Sequence, residues 1–278
     1  MDEEFERGRR VRIDGYGYSV EDVRRGGMGL VILCTSIRDN SSVVYQRRLA
    51  CKVFEPGSDQ AQILSELAVW KQLLHPHIAT LKAIGYVNDY LCAVMRWFED
   101  GAVTSQYVWA SGGLEVIKRL LQQMARALEH AWSSGILHLD IKPANILCDH
   151  GGFMLADWGI AKTATRRAIA MHPSSGGTLP YMAPERFMNE PNDIAADLYS
   201  LGITTFELLT ASLPFVDLTR EAMKRDILLG TVSARVQTTS QKMPQGWQIF
   251  LRKCCAKNPR DRPRSYAKLL ELIDALET

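Results

Sequence analysis

The hydrophobic pattern changes its period once along the chain, and that change restricts the architecture more than any other feature. From Tyr18 to about Met95 the apolar residues fall in short runs of strand length, at Leu30–Cys34, Leu49–Phe54 and Tyr90–Met95. One helix interrupts them, over about Asp59 to Leu74, with Ile63, Leu67, Trp70 and Leu74 on one stripe. After about Gly101 the spacing is helical. Ile117, Leu121, Met124, Leu128 and Trp132 share a face over residues 114–133, and Gly135 supplies a stop. Residues 196–210 are apolar nearly all round, as in a helix covered on every side. Tyr266, Leu269, Leu270, Ile273 and Leu276 repeat at helical spacing over residues 264–277. The expectation is an α+β protein: a small antiparallel sheet with one helix, then a larger helical part, with a boundary near residues 96–101. Such a junction favours a ligand cleft. Residues 1–17, charged and glycine-containing, read as a loose N-terminal extension.

Composition narrows the function classes. The 278 residues carry 33 Lys+Arg against 31 Asp+Glu, a net charge of +2, with 46% hydrophobic and 23% charged residues. These values exclude disorder, collagen and coiled coil as the main architecture. The charge balance gives no support for nucleic acid or an anionic membrane as the main partner. No uncharged apolar run approaches the roughly 18–20 residues of a membrane span, and the first ten residues are too charged for a signal peptide. The six cysteines include no C-x-x-C pair, so they read as reduced thiols of a cytoplasmic protein.

Three places carry candidate chemistry. Gly26, Gly27 and Gly29 lie between two strand-like runs, where glycines either form a plain hairpin turn or let a backbone close over phosphate. Lys52 lies in an apolar strand run and either snorkels to water or pairs with Glu66. Glu66 falls on the helix stripe of Ile63 and Trp70, where a carboxylate needs a partner unless it sits at the stripe's edge in water. The third place is the most restrictive. His138 to Asn145 follows the stop of a long helix, and two short strand runs joined by a turn at residues 148–152 lead to Asp157-Trp158-Gly159. A hairpin closes its open ends on each other, so Asn145 and Asp157 are expected as neighbours, with Asp140 and Lys142 on the incoming loop. Two carboxylates, an amide and a lysine at one place can hold Mg²⁺ through oxygen, accept a proton and steady a phosphate.

These segments, in this order, resemble protein kinases over nearly the whole chain. The glycine-rich loop resembles Gly26–Gly29, the strand lysine Lys52, and the helix glutamate Glu66. His75-Pro76-His77-Ile78 resembles the family's His-Pro-Asn-Ile, and His138 to Asn145 the catalytic loop. Asp157-Trp158-Gly159 resembles Asp-Phe-Gly, and Gly177 to Glu185 the close of the activation segment. Asp197 to Gly202 resembles the buried helix that follows, and Arg262 the arginine that pairs with the Ala-Pro-Glu glutamate, here Glu185.

The resemblance implies a two-lobed kinase fold, with the N-lobe and hinge over residues 18–98 and the C-lobe over 99–278. It implies ATP and Mg²⁺ as cofactors and protein substrates as partners. Lys52 would contact the phosphates and pair with Glu66, and Asn145 and Asp157 would hold the metal. Asp140 would accept the hydroxyl proton and Lys142 would steady the γ-phosphate. Val23, Val31, Ala50, Met95 and Leu147 would sandwich adenine, with Met95 as gatekeeper and backbone groups near Arg96 and Phe98 reading its edge. Lys142 and Thr178 resemble serine/threonine rather than tyrosine kinases. Four positions depart from the family pattern: Arg24 at the first loop glycine, Leu139 for the catalytic-loop arginine, Trp158 for phenylalanine, and Ala144 before Asn145. Leu139 cannot receive a phosphate on Thr163, Thr165, Ser174 or Ser175, which implies activity independent of such a phosphate. The expected function is a serine/threonine protein kinase. The rival is a pseudokinase that uses the fold as a nucleotide-binding module, and a small-molecule phosphotransferase is disfavoured by the Gly177–Glu185 segment.

Overall fold

The computed structural model describes residues 5–26, 29–37, 47–55, 57–158, 162–163, 178–188 and 192–278. It divides into two compact units, residues up to 74 with 79–99, and residues 75–78 with 100–278.

The first unit is a six-stranded antiparallel barrel with one helix. Its strands are β1 (Arg10–Ile13), β2 (Tyr16–Gly26), β3 (Gly29–Ser36), β4 (Arg48–Phe54), β5 (Leu81–Val87) and β6 (Tyr90–Arg96). They close in the order β1-β2-β3-β4-β6-β5. Residues 10–17 are therefore not a loose extension. Val11 and Ile13 point inward between exposed Arg10 and Arg12, and Asp14-Gly15 turns the chain into β2 with positive φ at both residues. That pair is the hairpin signal that a charged setting concealed. Ile13 meets Val87, which closes the barrel, and Phe5 is buried with its ring 5.5 Å from that of Tyr90. The interior is filled by Val11, Ile13, Val20, Ile32, Cys51 and Val94 with their neighbours.

Helix α1 (Gln60–Gln72) starts at Asp59, whose carboxylate accepts the Gln62 N–H at 3.1 Å. Leu67 and Trp70 are buried, and the Trp70 indole donates to the Ala79 carbonyl at 2.7 Å. The helix ends before Leu74, which is 68% exposed, and Leu73 takes the buried place instead.

The second unit is mainly helical. In chain order it contains β7 (Gly101–Ala102), α2 (Ser105–Ala110), α3 (Leu114–Ser133), β8 (Ile136–Leu137), β9 (Ile146–Asp149), β10 (Gly152–Leu155) and β11 (Lys162–Thr163). Then follow α4 (Pro184–Phe187), α5 (Ile194–Thr210), α6 (Arg220–Leu229), α7 (Thr231–Ser240), α8 (Gln245–Cys254) and α9 (Tyr266–Asp274). Helix α5 is buried along almost its full length, as its apolar composition requires. Helix α3 buries Ile117, Leu121, Met124 and Leu128, but its stripe continues to Ala131 and leaves Trp132 38% exposed rather than in the core. Among the described residues no helix is long and apolar enough to cross a membrane.

Candidate active site

In the first unit, strand register decides which residues can act together. Directly paired residues share a face. Val31 opposes Lys52, Leu33 opposes Ala50, and Ala50 opposes Met95, so Val31, Ala50, Lys52 and Met95 fall on one face. Val23 does not join them. It opposes Ile32 and packs against the barrel interior, because a shift of one residue turns a side chain to the other face. Gly26 opposes Gly29 at the tip of the β2–β3 hairpin, while Gly27 and Met28 lie outside the described residues. Gly29 has φ of +132°, and a Cβ there would lie 2.1 Å from the Val53 carbonyl oxygen. Only glycine lets this end of β3 lie so close to β4.

Lys52 is buried in β4, with Nζ 5.7 Å from the centre of the Phe54 ring. Glu66 is half-buried on α1, and Gln62 donates to its Oε1 at 3.0 Å. Arg24 pairs with Asp22 at 3.0 Å on the exposed surface. At the end of β6 the Arg96 guanidinium lies 4.6 Å from the Phe98 ring centre, and in the segment that follows, Arg48 covers Trp97 at 4.1 Å and pairs with Glu99.

In the second unit the loop after β8 is held from several sides. Asp197 of α5 is buried, and its carboxylate accepts the backbone N–H of His138 at 2.9 Å and of Leu139 at 2.7 Å. Burial pushes the Asp197 carboxyl up, against the opposing pull of His138 and these two N–H groups. The Asp140 N–H meets His138 Nδ1 at 3.2 Å, and His138 Nε2 lies 3.0 Å from the Ala156 carbonyl, which places the ring proton on Nε2. Leu139 and Asp157 both take left-handed φ, +63° and +61°.

Asp140 is the centre of this network. Its Oδ2 accepts from Lys142 Nζ at 2.8 Å and from Asn145 Nδ2 at 3.0 Å, and its Oδ1 accepts the Thr178 N–H at 2.8 Å. Lys142 also donates to the Thr178 hydroxyl at 2.5 Å. Burial alone would raise the Asp140 carboxyl, but the charge and hydrogen bond of Lys142, aided by His138 and Thr178, hold it below the usual carboxylate range. Asp140 therefore stays ionised and able to accept a proton near neutral pH.

The β9–β10 hairpin closes as its spacing predicts. Asp149 opposes Gly152 and Ile146 opposes Leu155, and the Ala156 N–H donates to the Asn145 carbonyl at 2.8 Å. Asn145 and Asp157 thus stand at the two open ends of one hairpin. Both hydrogen bonds from the Asn145 side chain use its nitrogen, which leaves its carbonyl oxygen as a ligand. An amide oxygen and a carboxylate suit a hard divalent cation such as Mg²⁺, which takes few protein ligands and fills its shell with water and phosphate. Trp158 is fully buried, its ring 4.6 Å from that of His138 at 69°, and its indole donates to the Leu155 carbonyl at 3.2 Å. The larger ring in place of phenylalanine is therefore accommodated with its polar atom satisfied. Leu147 is half-buried on β9. Gly159, Gly177, Thr165, Ser174 and Ser175 lie outside the described residues.

Two further ties complete the surroundings. Arg262 forms a two-pronged pair with Glu185, at 2.6 and 3.0 Å, and both side chains are buried. Arg186 donates to the Leu139 carbonyl at 2.6 Å. The involvement of Asp197 could have been found in the sequence, as a carboxylate inside an all-round apolar run. Arg186 gave no such signal, because its helix has only four residues.

A model of the protein kinase domain matches residues 19–271. The chain is 31% identical to the serine/threonine-protein kinase PrkC of Bacillus subtilis, over 90% of this chain and 39% of that protein. It is 27% identical to the serine/threonine-protein kinase PknD of Protochlamydia amoebophila, over 92% of this chain and 29% of that protein. It is 30% identical to the serine/threonine-protein kinase PknD of Mycobacterium tuberculosis, over 91% of this chain and 39% of that protein. The chain belongs to the protein kinase family, on the serine/threonine side. It spans about 30–40% of the length of these curated relatives.

Proposed function

We propose that this domain transfers the γ-phosphoryl group of ATP to serine or threonine hydroxyls of protein substrates. The observation that carries the reading is the Asp140 carboxylate, held ionised with its oxygens fixed by Lys142, Asn145 and the Thr178 N–H. Asp140 accepts the proton of the substrate hydroxyl as its oxygen attacks phosphorus, and Lys142 balances the charge on the transferred group. Asn145 and Asp157 would hold Mg²⁺, which when bound would neutralise charge on the ATP phosphates. Lys52 contacts the same phosphates and is oriented by Glu66. Val31, Ala50, Met95 and Leu147 are the apolar residues proposed for adenine, with backbone groups near Arg96 and Phe98 at its edge and Gly26, Gly27 and Gly29 over the phosphates. The contact of Lys142 with Thr178 supports a serine or threonine acceptor. A cytoplasmic setting is part of the proposal, supported by six free, buried cysteines that serve as core residues.

The test is radiolabelled phosphate transfer from Mg²⁺-ATP to a generic protein substrate, alongside nucleotide binding. Asp140→Asn should lower the rate by about 10²–10⁴-fold and leave ATP affinity nearly unchanged. Asp157→Ala should remove both transfer and Mg²⁺-dependent ATP binding. Because the Asp140 pKa is lowered, its ionisation should not limit the rate from about pH 8 down to about pH 5. Wild-type protein that binds Mg²⁺-ATP but transfers nothing would overturn the proposal in favour of a binding module.

A further inference from the structure

Leu139 is the residue before the proposed base, and its backbone is left-handed at φ +63°. A bulky L-residue resists that conformation by roughly 1–2 kcal/mol, so the surroundings must hold it. Its side chain is apolar and buried and provides no polar tie. Both polar groups of its backbone are instead tied to charged side chains. The N–H donates to Asp197 at 2.7 Å, and the carbonyl accepts from Arg186 at 2.6 Å. Arg186 follows Glu185 on α4, and it is charge-coupled to Asp197, Asp140 and Glu185. Glu185 is committed to Arg262 and Asp140 to Lys142, so Arg186 brings one more positive charge to a cluster of three carboxylates.

We propose that Arg186 is a positioning residue for phosphoryl transfer: by holding the Leu139 carbonyl it fixes the left-handed turn that aims the Asp140 carboxylate. The inference rests on the reading of Asp140 as the base. An arginine at position 139 would have carried its charge on the loop itself. Here the cation reaches the loop from α4, 47 residues away in sequence, and acts on the backbone. The loop is then set by a contact within the folded unit, with no added phosphate required.

The test compares wild type with Arg186→Met and Arg186→Lys. Two measurements are made: steady-state kinetics with Mg²⁺-ATP and a protein substrate, and amide hydrogen exchange of the peptide over residues 138–145. Arg186→Met should lower kcat by about 10–100-fold with KM for ATP changed less than about twofold, since the nucleotide ligands are untouched. Exchange of the 138–145 peptide should quicken by about tenfold or more, while that of the α8 peptide stays as in wild type. Arg186→Lys should recover a substantial part of both, because an ammonium can still donate to the carbonyl. Unchanged exchange over residues 138–145 in Arg186→Met overturns the inference, whatever the activity. So does a uniform rise in exchange across the unit, or a loss in Arg186→Lys as large as in Arg186→Met, each of which marks a merely structural residue. If Arg186→Met does not fold, Arg186→Gln takes its place under the same criteria: faster exchange confined to 138–145 with lowered kcat upholds the inference, and unchanged or generally quickened exchange overturns it. An inactive wild type would overturn the kinase reading, while the exchange result would still judge the clamp.

Discussion

The barrel unit and the helical unit hold together by different means. Among the described residues, Lys52 is the one buried charged or polar side chain of the barrel. The helical unit buries His138, Asp140, Asn145, Glu185, Asp197 and Arg262 among others, and nearly all of them are tied to each other or to backbone. The barrel therefore relies on apolar burial and strand register, and Lys52 is placed by its position along β4. The helical unit relies on a connected polar network that fixes one loop. A half-satisfied buried network is costly, so such a network stabilises one geometry strongly or fails. The contrast teaches where each kind of change should act: backbone geometry in the barrel, single polar atoms in the helical unit.

Three substitutions can break or sharpen this contrast, in order of expected effect. Arg262→Ala should be the most damaging, at about 3–5 kcal/mol, because it leaves the buried Glu185 carboxylate without its partner. It also removes the donors to the Ala195, Ala256 and Lys257 carbonyls. Chemical denaturation followed by circular dichroism measures it, and a cost below about 1 kcal/mol would break the picture of a connected polar core. Gly29→Ala should cost about 2–4 kcal/mol, from the left-handed backbone and the clash with the Val53 carbonyl. Its loss should be confined to the barrel, with faster hydrogen exchange in β3 and β4 and none in α5. Equal loosening of both units would show that register is not the barrel's own device. Lys268→Ala removes an exposed pair with Glu271 on α9, and should change stability by less than about 0.5 kcal/mol. A larger effect would mean that surface charge matters in the helical unit as well as buried charge.

Much of this arrangement was legible before any coordinates. Helix α3 spans the residues its spacing indicates, and α1 differs by one or two residues at each end. The β9–β10 hairpin was readable because a short turn between two strands leaves little freedom in how the ends meet. The misreadings have particular causes. β1 was hidden because four alternating residues among arginines give a weak signal, and the Asp14-Gly15 turn that pairs it with β2 sits in a charged setting. The family resemblance groups Val23 with Val31, but a resemblance does not carry strand register, and a one-residue difference decides the face. Trp132 fits the stripe of α3 by spacing, but the last turn is covered at Ala131.

By itself the sequence determined strands β3, β4 and β6, helices α1, α3, α5 and α9, and the β9–β10 hairpin whose open ends carry Asn145 and Asp157, because periodicity and tight turns are local properties of the chain. The tertiary structure decided how Asp140 is held. Its loop is tied by Asp197, Thr178 and Arg186, in contacts that span 58, 38 and 47 residues of sequence. Periodicity reports which face of an element is apolar. It does not report which distant side chain will meet a given carbonyl or N–H, and here those meetings fix the carboxylate proposed to do the chemistry.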